Sequence, residues 1–417
     1  MRRINISFAV VMAILISLFI LFLFFPPAQE MLASQKSILF LEGKDWFADF
    51  FNVMRYMSDE AGFYYSKINE ADGHSGFPIG LGIMYPLTQL ANYSEMSLQD
   101  CWVSKSAIFS CVAFLTVLVF LLWDSLSRLC EKYHVEKYNL LIFLFSSSFI
   151  FTLERANSIF LSASLVNYFL VYYDHVSAKL RYFALVCICL AATLKGYPVF
   201  FGLLLLREKR YKDILFCIVF TLIIAFVPFL FMERGFENLS KMVENTGYNN
   251  ASYLYAYKYM FGLHKLVYMA CQYLQMEPLE IEQVISRTRI LEALLALLSF
   301  VLVLAEKRLY RQCLLIVCSI LLLPINSGFY CSLYLLPVII IFFSQRQCSM
   351  TDYFMMLLFC LIINPLQVMV PYPLIQNLTP FVSNVSLILL WFTLILSTLP
   401  ALRGGLRSYF SRTDIPS

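Results

Sequence analysis

Long apolar runs separated by short polar segments occupy almost the whole chain. The runs that could cross, or nearly cross, a bilayer are 7–25, 107–123, 140–153, 159–173, 182–206, 214–232, 290–305, 313–325, 329–343, 354–370 and 385–402. Several are shorter than the ~17–25 residues of an ideal span, so we expect their ends to extend into flanking polar residues. The pattern predicts an all-α polytopic membrane protein.

One run, 182–206, is interrupted by Lys195-Gly196-Tyr197-Pro198. A single crossing would place the basic cluster at 207–210 outside, whereas a turn at the Gly-Tyr-Pro step keeps that cluster inside. Broken helices with polar turns are tolerated where they line a cavity. We therefore predict a half-membrane hairpin here, within a single domain over residues 1–417 that has about 10–12 transmembrane helices in all.

The distribution of charge gives this topology an orientation. With the hairpin, the inner loops carry 18 of the 31 Lys and Arg residues, as the positive-inside rule requires. The sequence thus predicts a multi-pass protein integral to the cell (plasma) membrane, with both termini cytoplasmic. Two long outer segments, 26–106 and 233–289, are candidate functional regions, because long loops without a domain of their own are usually functional. Part of the first is expected to form short surface helices.

The composition narrows the possible chemistry. The chain is 60% hydrophobic and 14% charged, with 12 cysteines mostly inside apolar runs and 4 scattered histidines. We therefore expect no metal site and no cofactor. No P-loop and no nucleophile elbow occurs, and the basic residues are spread along loops, so neither cytoplasmic ATP hydrolysis nor nucleic-acid binding has support.

Two carboxylates and an amide follow the first apolar run. If this stretch is helical, Asp45, Asp49 and Asn52 share one face, with aromatic side chains between them. A carboxylate at such a place could accept a proton from a hydroxyl while the rings beside it bind sugar or lipid. The competing interpretation is the solvated polar face of a surface helix.

Two cationic positions lie at membrane depth on the predicted outer side. Arg155, followed by Asn157, could hold a phosphate through its planar fork of donors, or could form a salt bridge in a turn between helices. Lys195, followed by Tyr197, could be a cation in a cavity, or a snorkelling lysine at a helix break.

Two further polar segments complete the candidates. Asn250 and Ser252, in the second outer segment, suit sugar hydroxyls but also suit an ordinary loop. Tyr330 belongs to a polar turn between two late spans, which could line the same cavity.

The order of these motifs resembles the polytopic GT-C glycosyltransferases, and among them glycosyltransferase family 87, whose members are similar to polyprenyl-phosphate-mannose-dependent mannosyltransferases. The resemblance extends over roughly residues 40–345, and Ala156 stands where the family usually has Gly. The elements that carry it are Asp49-Phe50-Phe51-Asn52, Tyr85-Pro86-Leu87, Glu154-Arg155-Ala156-Asn157, Lys195-Gly196-Tyr197-Pro198, the basic turn 207–212 and Asn250-Ala251-Ser252.

The resemblance implies a GT-C-like bundle and a hexosyltransferase that inverts the anomeric centre without a metal. It implies transfer of a hexose, such as mannose, from a polyprenyl-phosphate donor to a hydroxyl of a lipid-linked or cell-envelope glycan on the outer face. Asp49 would be the general base, with Asp45 as the next candidate, while Arg155 and Lys195 would stabilise the leaving lipid phosphate. Some family members have histidines where this chain has Gly328-Phe329-Tyr330, so no histidine role is implied there.

Other classes of membrane protein are possible on the same pattern. A transporter or flippase of a lipid-linked saccharide is the main alternative, but it predicts internal repeats and charges near mid-bilayer, and the spans are nearly free of charge except at Lys195. A polysaccharide polymerase would be expected to carry arginine-rich late outer loops, which 371–384 does not. A purely structural subunit gives no reason for two long outer segments.

Overall fold

The computed structural model describes residues 46–66, 74–257, 259–345, 349–364 and 378–411. All regular elements in these residues are helices, so the predicted all-α polytopic class is confirmed. Asp45 and the predicted span 7–25 lie outside the described residues. Four described helices are long and apolar enough to cross a membrane, namely Lys105–Tyr133, Tyr211–Phe231, Pro278–Ala305 and Thr379–Pro400.

Short helices precede the first of these spans, as predicted for the first outer segment. They are α1 (Ala48–Ser58), α2 (Ile79–Thr88), a 3-10 turn at Tyr93–Glu95 and α3 (Leu98–Val103). Helix α1 buries Phe50, Phe51 and Met54 on one face, and the Phe50 ring lies 5.1 Å from that of Phe114 on α4 (Lys105–Tyr133). The opposite face of α1, which carries Asp49, is left partly open.

The next helices form the middle of the bundle. The predicted run 140–153 is divided into α5 (Leu140–Leu144) and α6 (Ser147–Arg155), because the Ser146 hydroxyl accepts a hydrogen bond from the Phe149 N–H and starts a new helix. Helix α7 (Ile159–Tyr172) then packs between α4 and α8 (Ala178–Lys195).

The chain turns back after α8. Gly196 takes a φ of 71°, and the chain continues as a 3-10 helix (Tyr197–Phe201), α9 (Gly202–Arg207) and α10 (Tyr211–Phe226). Arg210 Nη1 donates to the carbonyl of Tyr173 at 2.5 Å, so the chain has returned to the end of the bundle at which α8 began. The predicted turn at 196–198 is confirmed. The α8 arm is about 27 Å long, close to the ~30 Å of a bilayer core, so it is longer than a half-membrane hairpin requires.

The second predicted outer segment is helical throughout most of its length. It contains α11 (Glu237–Leu254), α12 (Leu263–Tyr273) and the first part of α13 (Pro278–Ala305). Helix α13 begins earlier than the apolar run 290–305 because Pro278 opens it at its first turn, where proline is favoured.

The centre of the molecule is formed by α14 (Leu309–Leu322), a 3-10 helix (Phe329–Tyr334) and α15 (Leu335–Phe343). All residues of α15, and all of α14 after Leu309, are buried, as expected for helices that are surrounded on every side. Helices α16 (Met350–Ile362) and α17 (Leu378–Ser411) pack on each other, and α17 also packs on α13 and α14. By contrast, α10 exposes leucine and isoleucine side chains, which suits contact with lipid.

Polar clusters lie at both ends of this bundle. At the end where α8 begins, Lys132 pairs with Asp174 at 2.5 Å, and Arg311 pairs with Asp352 at 3.2 Å. The opposite end holds the start of α1, the end of α6 and the end of α8, and it contains most of the candidate functional residues.

Candidate active site

Asp49 and Arg155 form an ion pair although 106 positions separate them. Arg155 donates to Asp49 Oδ1 through Nε at 3.1 Å and Nη2 at 2.5 Å, while Asn157 Nδ2 donates to Asp49 Oδ2 at 2.6 Å. The structure therefore brings together three of the residues that the sequence analysis singled out in two separate segments. Arg155, which was expected to contact a lipid phosphate, is directed at the carboxylate instead.

Backbone geometry on both sides fixes this arrangement. The Phe47 N–H donates to the Glu154 carbonyl at 2.7 Å, which ties the start of α1 to the end of α6. Phe47 and Ala156 both take left-handed conformations, with φ of 54° and 49°. Glycine adopts this conformation without strain, which gives a physical reason for a glycine where this chain has Ala156.

The orientation of the Asn157 amide follows from its second contact. Its Oδ1 accepts a hydrogen bond from the Ile159 N–H at 2.9 Å, at the start of α7. Because the amide oxygen is used there, the amide nitrogen is the atom that faces Asp49. Asn157 thus acts as a rigid link between the first turn of α7 and the carboxylate.

Asp49 keeps an open acceptor position. An ionised carboxylate offers about four lone-pair sites, and Asp49 uses three of them for Arg155 and Asn157. Its side chain is 21% exposed and that of Arg155 is 24% exposed. A hydroxyl of a bound molecule can therefore reach Oδ2, and the two side chains remain fixed when it does.

A cation and an aromatic ring lie beside this pair. Lys195, the last residue of α8, interacts electrostatically with Asp49, and its Nζ lies 5.7 Å from the centre of the Tyr330 ring. Tyr197 follows the turn and its hydroxyl lies 3.1 Å from Cys331 Sγ. Five predicted residues therefore lie close together, namely Asp49, Arg155, Asn157, Lys195 and Tyr330.

Tyr330 is held by a stack of rings. The Phe151 ring of α6 stacks on Tyr259 at 5.3 Å and on Tyr330 at 6.3 Å. The segment around Tyr259 also pairs with the turn before Tyr330, since the Phe329 N–H donates to the Tyr259 carbonyl at 2.8 Å. Neither Phe151 nor Tyr259 was singled out from the sequence, because an aromatic residue in an apolar run gives no distinguishing signal.

His74 is a functional candidate that sequence reasoning missed. It is half-buried with its ring 4.5 Å from that of Phe63, and it interacts electrostatically with Lys195. Burial and the nearby ammonium lower the pKa of His74 to about 3, so the imidazole is neutral at pH 7. The imidazole packs against Gly76, where an added Cβ would lie 2.5 Å from it, and the sequence gives no signal of this contact.

Other predicted residues are placed differently. Asn52 accepts a hydrogen bond from Arg55 at 3.4 Å, and Asn250 and Ser252 lie on α11 with no contact to the Asp49 cluster among the described residues. On α11 it is Asn245 that bonds across to the first predicted outer segment, through its Nδ2 to the carbonyls of Tyr64 and His74. Asp45 lies outside the described residues.

His264, noted downstream of Asn250, belongs to a separate buried cluster. Its Nδ1 lies 2.9 Å from Glu292 Oε1, and Arg289 contacts the same carboxylate at 2.5 Å. Nowhere in the described part of the chain, this cluster included, do three His, Cys, Asp or Glu side chains come together in a way that could hold a metal ion. The expected metal-independent chemistry is untested by this and stays a prediction.

Comparison with known proteins identifies one family. The profile of Glycosyltransferase family 87 matches residues 72–325, which is more than half of the 417-residue chain. No curated protein and no solved structure matches it. The matched region contains Arg155, Asn157 and Lys195, whereas Asp49 and Tyr330 lie just outside it.

Proposed function

The chain belongs to glycosyltransferase family 87, and on that premise we propose that it transfers a hexose, such as mannose, from a polyprenyl-phosphate donor to a hydroxyl of a lipid-linked or cell-envelope glycan. The observation that carries the proposal is the Asp49 carboxylate. Three hydrogen bonds from Arg155 and Asn157 hold it, one acceptor position stays open, and Lys195 lies near it. A fixed base next to a cation is what a sugar transfer from a phosphate requires.

The proposed reaction is a single displacement. The acceptor oxygen attacks the anomeric carbon while Asp49 Oδ2 takes the proton of that hydroxyl. The bond from the anomeric carbon to the phosphate oxygen breaks, and its electron pair leaves with the polyprenyl phosphate. Attack opposite the leaving group inverts the anomeric centre, and a positioned base of this kind typically contributes about 10²–10⁴-fold to the rate.

The two cations take different roles in this proposal. Arg155 holds Asp49 through a two-point contact, so it fixes the base rather than the phosphate. Lys195 is then the group that stabilises the negative charge on the leaving phosphate, with the Tyr330 ring beside it for the sugar. No step in this scheme requires a metal ion or a cofactor.

The outer face of the membrane is the proposed side of the site. Support comes from the opposite end of the bundle, where Arg207 donates to the Glu306 carbonyl at 2.9 Å and several further Lys and Arg residues cluster. A basic end is expected to face the cytoplasm. The lipid tail of the donor would then lie in the bilayer next to the exposed apolar helices.

Purified protein in membrane vesicles, given a panel of polyprenyl-phosphate hexoses and a glycan acceptor, tests the proposal. We expect release of polyprenyl phosphate and a new glycosidic bond, both reduced about 10²–10⁴-fold in Asp49→Asn and both unaffected by a metal chelator. Asp174→Asn is the matched control, since Asp174 is a 46% exposed carboxylate at the other end of the bundle.

Normal transfer by Asp49→Asn would disprove the role of Asp49 and direct attention to Asp45. Movement of a labelled lipid-linked saccharide across liposomes, without any new glycosidic bond, would instead support the transporter or flippase alternative.

A further inference from the structure

A second open space lies on the same end of the molecule as Asp49. It is a groove of about 840 Å³ between the ends of α1 and α2 and the 3-10 turn at Tyr93–Glu95. This volume is within the ~300–1,000 Å³ of typical ligand sites. The polar residues that line it are Ser58, Tyr85, Thr88, Gln89, Asn92, Tyr93 and Ser106.

The lining is polar but uncharged. Every residue that lines the groove is described by the structure, and none of them is Asp, Glu, Lys, Arg or His. A phosphate or a carboxylate would be expected to meet a cation, which this surface does not provide. Hydroxyl and amide groups beside the exposed Tyr85 ring match instead a neutral, polyhydroxylated ligand with one apolar face, which is the chemistry of a saccharide.

Internal hydrogen bonds fix part of this surface and leave the rest open. The Thr88 hydroxyl donates to the Tyr85 carbonyl at 2.7 Å and accepts from Gln89 Nε2 at 3.2 Å, while Ser94 donates to Asn92 Oδ1 at 2.9 Å. The Gln89 oxygen, the Asn92 amide nitrogen and the Tyr85 hydroxyl have no partner among the described residues. The groove thus presents both donors and acceptors, already oriented.

The groove and the Asp49 cluster share their walls. Helix α1 carries Asp49 in its first turn and Ser58 at its end, about 13 Å further along the axis. Helix α2 starts beside the end of α8. Gly80 packs against Leu194, the neighbour of Lys195, so closely that an added Cβ would lie 3.4 Å from it. A molecule that reaches from Asp49 to the groove must therefore be longer than one sugar.

We propose that this groove binds the uncharged saccharide chain of the acceptor, behind the hydroxyl that reacts at Asp49. The protein then elongates a glycan of several neutral sugars rather than glycosylating a lipid carrier directly. This inference rests on the proposed transferase function, and it adds the class of acceptor and the place where that acceptor is held.

Binding of neutral oligosaccharides without donor tests the groove separately from the reaction. The probes are a mannose disaccharide and a mannose tetrasaccharide, with binding followed by ligand-observed NMR on the full-length protein. We expect the tetrasaccharide to bind more tightly, and Tyr85→Ala or Gln89→Leu to weaken its binding about tenfold. Both residues are exposed, so folding should be unaffected, which thermal unfolding checks. Tyr211→Ala is the matched control, with 54% exposure against 57% for Tyr85.

Unchanged tetrasaccharide affinity in both groove variants, or no binding by the wild type, would overturn the proposal. Binding of glycerol phosphate instead of the tetrasaccharide, lost in Gln89→Leu, would identify a lipid headgroup site and also overturn it. Because this binding needs no turnover, Asp49→Asn should retain it. Failure of tetrasaccharide binding would therefore disprove the groove but not the role of Asp49. Failure of the transfer assay would disprove the transferase function and leave the binding result valid.

Discussion

Two carboxylate–guanidinium pairs lie at opposite ends of the bundle, and they differ in how completely the carboxylate is used. Asp352 accepts from the Tyr310 hydroxyl and Arg311 on one oxygen, and from the N–H and hydroxyl of Ser349 on the other. Its side chain is 1% exposed. Asp49 accepts from Arg155 and Asn157 only, and one of its lone pairs faces open space.

The difference separates a structural ion pair from the pair that we propose to be catalytic. All four acceptor positions of Asp352 are occupied by the protein, so it can fix α16 against α14 but cannot accept a proton from a substrate. Asp49 is held just as firmly by Arg155, yet it remains partly exposed. The two aspartates therefore differ in the chemistry open to them, because the fold supplies a different number of hydrogen-bond donors to each.

The largest expected effect comes from exchanging each acid for its amide. Asp49→Asn should lower transfer by about 10²–10⁴-fold with little change in thermal stability, because the site is partly exposed. Asp352→Asn should have the opposite effect, with retained transfer per folded molecule and a lower free energy of unfolding. The buried Arg311 loses its closest charge partner, at 3.2 Å, and keeps only Glu306 at 3.9 Å. Vesicle transfer assays and thermal unfolding measure the two quantities, and equal effects of both variants would remove the distinction.

Replacing each arginine by lysine should affect the same two quantities, the rate of transfer and the stability, but less strongly. Arg155→Lys keeps the charge but loses the two-point contact with Asp49, so we expect transfer to fall about 10- to 100-fold. Arg311→Lys should lower stability but leave the rate of the folded enzyme nearly unchanged. If Arg155→Lys retained full activity, orientation of Asp49 by a fork would be unnecessary.

Two asparagines of α11 provide a further contrast near the site. Asn245 is fully buried and donates to the carbonyls of Tyr64 and His74, so Asn245→Ala should cost about 1–3 kcal/mol and reduce transfer severalfold as the first outer segment loosens. Asn250→Ala removes no hydrogen bond among the described residues and should change stability little. A loss of donor affinity in Asn250→Ala alone would support the original assignment of Asn250 to substrate binding.

The pH dependence of stability tests the surroundings of His74, at the end of the bundle that holds Asp49. Its pKa is lowered from 6.5 to about 3 on folding, so between these values the unfolded chain binds more protons and stability falls as pH falls. Wild type should therefore lose more stability between pH 7 and pH 5 than His74→Gln. Thermal unfolding of both proteins at the two pH values provides the measurement, and identical pH dependence would mean that His74 is not buried beside Lys195.

The smallest expected effect is at Ala156, between Arg155 and Asn157. Its φ of 49° strains an L-residue, so Ala156→Gly should stabilise the turn by about 1 kcal/mol or less without altering transfer. A large change in rate would indicate that the strained turn itself adjusts the position of Arg155.

Several of these contrasts rest on residues that the sequence indicated and on partners that it did not. Asp49, Arg155 and Lys195 stood out because charges are rare in a chain that is 60% hydrophobic. The rings of Phe151 and Tyr259 beside Tyr330, and His74 near Lys195, did not stand out. Aromatic residues are common here, and one histidine among polar neighbours carries no periodic signal. The assignment of Arg155 to the phosphate also missed its contact with Asp49, which depends on the fold of α1 against α6.

The sequence by itself determined the membrane class and the turn after α8, because both follow from the cost of burying charge and unpaired backbone groups in lipid. Only the tertiary structure decided which polar residues meet. Contacts such as Asp49 with Arg155 join segments 106 positions apart, and no local period encodes them. The same holds for the open acceptor position on Asp49, which depends on how many donors the distant segment 155–157 supplies.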